Sequence, residues 1–191
     1  HLIRARIMQQ RVITLLLRWI QTDQERFRAA ALAHISAMAA WDYWSWIAWR
    51  QGDPRPEAVF DLSYGENSAT LAIAWDLLHA SLAPAERTLF LQEAHRRPFA
   101  AFLANAMPGE KPVWWTDAGT SNWLAVCAGG AGLLALAMLE DLPEATTVLN
   151  RVEEILPAFL NTLERTGGGW PEGIGYWNYG MRYAFMYHLS R

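Results

Sequence analysis

Apolar positions recur at helical spacing along most of the chain, and the breaks fall where Gly, Pro and Asp gather. The pattern predicts a first helix over residues 2–20. Thr22 and Glu25 have the T-x-x-E spacing of a capping box, which would start a second helix through Phe27, Ala31, Ile35 and Met38 toward Trp49. Residues 52–56, Gly-Asp-Pro-Arg-Pro, break it. A third helix is expected over 63–79, with Leu71, Trp75 and Leu78 at helical spacing. Pro84 suits a first turn and opens a fourth helix reaching Ala106, which Pro98 should kink or split. Residues 107–120 read as a loop carrying Trp114, Trp115 and Asp117, and Ser121 starts a fifth helix to Leu139. Asp141 and Glu144, with Pro143 in the first turn, cap a sixth helix that runs to Arg165, where three glycines stop it. A last helix begins near Tyr176 and continues through Tyr187.

With no β alternation, the fold class is all-α. Long apolar-rich helices joined by short turns favour a layered array of helical hairpins, and a toroid of hairpins is a natural form of it. Its inner helices would be apolar and small, as residues 125–137 are, and its loops would converge on one face. No exact repeat supports a solenoid of identical units.

Length and composition narrow the partners. The 191 residues suit one domain, 1–191, or part of a larger protein. The chain is 52% hydrophobic and 18% charged, with a net charge of -3, so it offers no global basic surface for a nucleic acid. The longest apolar run, 124–139, is interrupted by glycines and reads as a buried helix rather than a membrane span. Cys127, the sole cysteine, lies in that run and is expected to be a buried, inert thiol. No signal peptide is visible, and both ends look cut, as in a fragment of a longer protein.

Candidate chemistry concentrates in residues 167–180, GGGWPEGIGYWNYG. Trp170, Glu172, Tyr176, Trp177, Asn178 and Tyr179 put flat aromatic surfaces, a carboxylate and two phenols on a glycine-rich backbone. Aromatic faces pack on the C–H face of a sugar ring while polar groups bond its hydroxyls; the alternative is a helix stop followed by a buried aromatic loop. A second loop of similar composition, residues 114–123, WWTDAGTSNW, also leads into a helix. If the two loops share a face, Asn122 and Asp117 meet Glu172, Tyr176 and Tyr179, and the helix N-termini there favour an anionic group. Asp117 or Ser121 could equally be helix caps. The aromatic run 41–49, WDYWSWIAW, is either core or a sugar platform. His34, His79, His95 and His188 are scattered on helices, and no metal or nucleotide motif is present.

Three blocks resemble the helical domain of the heparinase II/III-like polysaccharide lyases, a group that includes alginate and oligoalginate lyases. They are FDLSYGENSATLAIAWDLL (60–78), WWTDAGTSNWLAVCAGGAGLLALA (114–137) and GGWPEGIGYWNYGMRY (168–183), in the family's order and spacing. The resemblance implies an incomplete α/α toroid followed by a C-terminal β-sandwich. It implies cleavage of an anionic, uronic-acid-containing polysaccharide or oligosaccharide by β-elimination, in a periplasmic or secreted bacterial enzyme. Asn122 would neutralise the substrate carboxylate, and Tyr179, or else Tyr176, would carry the proton. Trp115, Asp117, Trp123, Trp170, Glu172, Trp177, Tyr64 and Glu66 would contact the sugar. An ordinary phenol has a pKa near 10, so cations such as Arg182 are expected to lower it. No cofactor is implied in this segment, although a structural zinc in the β-domain is. One departure stands out: several members have a histidine right after the asparagine, where this chain has Trp123. That leaves open a different substrate, a tyrosine acting alone, or lost activity.

Two other function classes fit the same residues. An inverting glycoside hydrolase would use Asp117 and Glu172 as paired carboxylates with room for a water between them. A non-catalytic glycan-binding domain would keep the aromatic cleft alone.

Overall fold

The computed structural model describes residues 1–109 and 113–191, and these are all-helical. The helices are α1 (Leu2–Thr22), α2 (Glu25–Ala39), α3 (Ile47–Arg50), α4 (Leu62–Leu78), α5 (Pro84–Ala94), α6 (Ala100–Ala106), α7 (Asn122–Ala137), α8 (Glu144–Ile155), α9 (Pro157–Arg165) and α10 (Ile174–Ser190). Residues 110–112 of the expected 107–120 loop lie outside the described residues.

The helices form two layers. Adjacent pairs α1–α4, α4–α7 and α7–α10 pack to make one layer, while α2, α5, α6 and α8 lie outside it. Helices α4, α7 and α10 run parallel. Glu66 near the start of α4 meets Tyr179 near the start of α10, and Leu77, Ala137 and Leu189 at the far ends line one cleft. Close approach is possible because α4 and α7 meet at glycines. A Cβ on Gly130 would lie 2.0 Å from the Gly65 carbonyl oxygen, and one on Gly65 would lie 2.4 Å from that of Val126. Helix α7 is buried nearly all round, Cys127 included, as its small apolar composition predicted. Burial pushes the Cys127 thiol up, away from the reactive thiolate.

Several boundaries differ from the periodic pattern, each for a tertiary reason. The second helix stops at Ala39, ten residues short of the expected end, because Arg97 Nη2 takes the carbonyls of Ala39 (3.1 Å) and Trp41 (2.6 Å). Arg97 is aimed there by the turn around Pro98. With no N–H to give, Pro98 widens the helix into a π-turn over His95–Phe99 that joins α5 to α6. The Thr22–Glu25 capping box does not form. Thr22 stays in α1 with its hydroxyl on the Arg18 carbonyl (2.6 Å), and the chain turns at Asp23, which adopts a left-handed φ of 53°. Asp141 does not cap α8 but pairs with Arg87, leaving Pro143 at the cap position. Pro157 divides the expected sixth helix into α8 and α9. The last helix starts at Ile174, two residues earlier than expected.

Candidate functional site

The N-terminal ends of α4, α7 and α10 gather most of the sequence-predicted residues, in two separate clusters. The first is built on the start of α7. Glu172, from the glycine-rich loop, places Oε2 against the backbone N–H (2.6 Å) and the Nδ2 (2.7 Å) of Asn122. Ser121 Oγ donates to Oε1 (3.1 Å), and Trp170 Nε1 donates to Oε2 (3.0 Å). The two loops therefore do meet, as the pattern suggested. Yet the anion on the α7 N-terminus is the chain's own carboxylate. This corrects two expectations. Asn122 is 2% exposed with its amide turned to Glu172, so it does not present that amide to a substrate. Glu172 is a structural acceptor with four donors around it, not one of a hydrolytic pair with Asp117, which is exposed.

The second cluster lies where α1, α4 and α10 face one another. Glu66 is fully buried; its Oε1 accepts the Tyr179 phenol (2.5 Å) and Arg6 Nε (2.9 Å). The Arg6 guanidinium also lies over the Tyr179 ring, 4.5 Å from its centroid. Gln9 ties the elements together: its Nε2 donates to the Glu66 carbonyl (3.1 Å), and its Oε1 accepts Arg182 Nη2 (2.6 Å) and the Tyr183 phenol (3.3 Å). Arg6, Tyr176, Asn178, Tyr179 and Arg182 open onto a cleft of about 350 Å³. Tyr176 is 55% exposed at its mouth.

The electrostatics reverse the expectation for Tyr179. Burial, then the Glu66 charge and hydrogen bond, push its phenol well above the usual range, and Arg6 only partly opposes this. Arg182 is not among the groups that set it; its Nη2 donates to Gln9, and the rest of its guanidinium faces the cleft. Tyr179 is therefore a neutral hydrogen-bond donor at rest. Burial also raises the Glu66 carboxyl, against the bonds from Tyr179 and Arg6.

The remaining predicted residues divide by burial. Trp115 is not a sugar contact: it is fully buried on Phe60 and Phe102 with Nε1 on the Phe60 carbonyl (2.9 Å). Tyr64 is likewise core, its phenol on the Pro56 carbonyl (2.5 Å). Glu66, too, is buried and reaches the cleft only through Tyr179 and Arg6. Trp170 and Trp177 line a smaller cleft of about 260 Å³, with the Trp170 ring packed at a tilt against Phe159. Trp123 is half-buried at the centre of an aromatic cluster with Trp46, Trp49 and Trp114, at ring distances of 5.8, 5.3 and 5.1 Å. The 41–49 run is thus split. Trp44 is core, while Trp49 (43% exposed) presents a face to solvent, as does Trp114 (45%) from the other loop.

Sequence reasoning missed Arg6, which sits in an amphipathic helix with nothing local to mark it, and it took Glu66 for a surface ligand. Among the described residues, no helix is long and apolar enough to cross a membrane. Among those residues, too, no three His, Cys, Asp or Glu side chains gather as a metal site. No protein-family model matches the chain, and a search of curated proteins found no match.

Proposed function

We propose that this chain is the helical domain of a polysaccharide lyase that cleaves uronic-acid-containing glycans by β-elimination, built on an incomplete α/α toroid. The parallel inner helices α4, α7 and α10 with outer helices beside them support that architecture. One observation carries the functional reading: the Tyr179 phenol, held by a buried carboxylate, opens onto a cleft flanked by Arg6 and Arg182. Two guanidiniums suit a sugar carboxylate, and neutralising that carboxylate makes the C5 proton acidic. In this reaction Tyr179 exchanges protons with C5 and with the leaving glycosidic oxygen. The exposed faces of Trp49 and Trp114 suit stacking of further sugar rings. Asn122 supports the site by fixing Glu172 and the loop that leads into α10.

A non-catalytic glycan-binding domain is the second reading, favoured by Trp123, which fills with an indole the place where relatives of the proposed family have an imidazole. Incubating the whole protein with alginate and with heparin separates the readings. The lyase gives rising ultraviolet absorbance from a C4–C5 double bond. Binding without that absorbance supports the binding domain, and new reducing ends without it would show hydrolysis.

A further inference from the structure

The carboxyl of Glu66 is buried behind the cleft, and the reaction outlined above gives it no part beyond holding the Tyr179 phenol. Its geometry is unusually fixed. Gln9 and the Thr70 hydroxyl (2.9 Å) both hold its backbone carbonyl, and Arg6 and Tyr179 share Oε1. Oε2, by contrast, is buried with no hydrogen-bond partner. A buried acceptor without a donor is costly, of order 1–3 kcal/mol, and such a group calls for an explanation beyond packing. Tyr179 has the complementary problem. As a neutral phenol it cannot take a proton from carbon unless its own proton has somewhere to go.

We propose that Glu66 is a proton relay behind Tyr179, accepting the phenol proton while the phenol oxygen takes the substrate's, and then returning it. This rests on the lyase reading above. As the C5–H bond breaks, its proton moves to the Tyr179 oxygen and the phenol's original proton moves to Glu66. The electron pair stays on C5 and its carboxylate. That pair then forms the C4–C5 double bond as the C4–O4 bond breaks. The leaving oxygen takes a proton from Tyr179, and Glu66 gives back the one it held. The protein ends as it began, and no further reactant is needed. Oε2 gives the transferred proton a second position away from Arg6. Glu66 never touches substrate in this scheme, so it is a positioning and relay residue, with Tyr179 the catalytic one.

The test compares whole protein carrying the native residues with Glu66→Gln, Glu66→Asp and Tyr179→Phe. Glu66→Gln should lower kcat about 100-fold or more with little change in KM, and Glu66→Asp should restore part of the loss. The phenolate absorbance that Tyr179→Phe removes should appear at lower pH in Glu66→Gln than in the native protein, because a negative neighbour is gone. Unchanged kcat in a folded Glu66→Gln protein would overturn the relay and leave the lyase reading standing. No unsaturated product from the native protein on any uronate glycan would remove that reading, and the relay with it. Should Glu66→Gln fail to fold, solvent isotope effects on the native protein decide. The relay moves an exchangeable proton in the C5 step, so slowing in D2O must persist with substrate deuterated at C5, and its absence would overturn the relay.

Discussion

Asp61 and Tyr179 are two acidic groups raised by burial, one a helix cap and the other the proton carrier of the proposed reaction. Asp61 caps α4, accepting the N–H groups of Ser63 (2.9 Å), Tyr64 (3.2 Å) and Trp46 (2.6 Å). Burial outweighs these bonds and pushes its carboxyl up from 3.8 to about 6. A carboxyl raised in the folded state holds its proton where the unfolded chain has released it. Its contribution is therefore complete below about pH 4 and is lost as pH rises to about 6, by something of order 3 kcal/mol. Asp61→Asn should flatten this part of the stability profile in urea melts between pH 4 and 7; equal slopes in both proteins would contradict the assignment. At Tyr179 the expected outcome is kinetic. Tyr179→Phe removes the proton carrier but keeps the ring under Arg6, so turnover should fall about 100-fold or more while binding holds. Equal turnover in the two proteins would remove Tyr179 from the reaction.

Among the elements, the α4–α7 contact is the most exacting. Any side chain at Gly130 would enter the Gly65 backbone, which has no rotamer to yield. Gly130→Ala should cost about 3 kcal/mol or more, at the upper end of overpacking effects. Gly175→Ala, in the first turn of α10 with nothing within 4 Å, should be neutral or slightly stabilising by comparison. Thermal melts of the two variants check this, and similar losses in both would show that the close approach matters little. The π-turn at Pro98 is a second case of one element shaping another. It turns Arg97 toward the end of α2, where Glu93 (3.1 Å) balances its charge. Helix spacing along 25–49 gives no hint of this, because the residue that stops α2 lies 58 positions further on.

For the whole molecule, the charge distribution sets the terms of binding. A net charge of -3 repels an anionic polymer at long range, so affinity for a uronate glycan must come from the local pair Arg6 and Arg182. Binding of an oligouronate should therefore weaken steeply between low and physiological salt, where the screening length falls to about 8 Å. A neutral oligosaccharide of equal length, held by the tryptophan faces, should bind with little salt dependence. Calorimetry at several salt concentrations would show this, and identical salt slopes for the two ligands would rule out the arginine pair as the carboxylate site.

Helical spacing and breaker residues were enough to specify an all-α chain, to locate most helices within a few residues and to single out the two aromatic loops. These are local properties, set by side-chain period and by the backbone restrictions of Gly and Pro. Only the tertiary structure decided which polar groups meet. Glu66 and Tyr179 are 113 residues apart, and Asn122 and Glu172 are 50 apart. Their pairing follows from the parallel packing of α4, α7 and α10 and from Arg6 and Gln9 arriving from α1. Burial, fixed by that same packing, made Trp115 and Tyr64 core and raised the phenol that cations were expected to lower, while the glycine-rich loop brought Glu172 onto the α7 N-terminus.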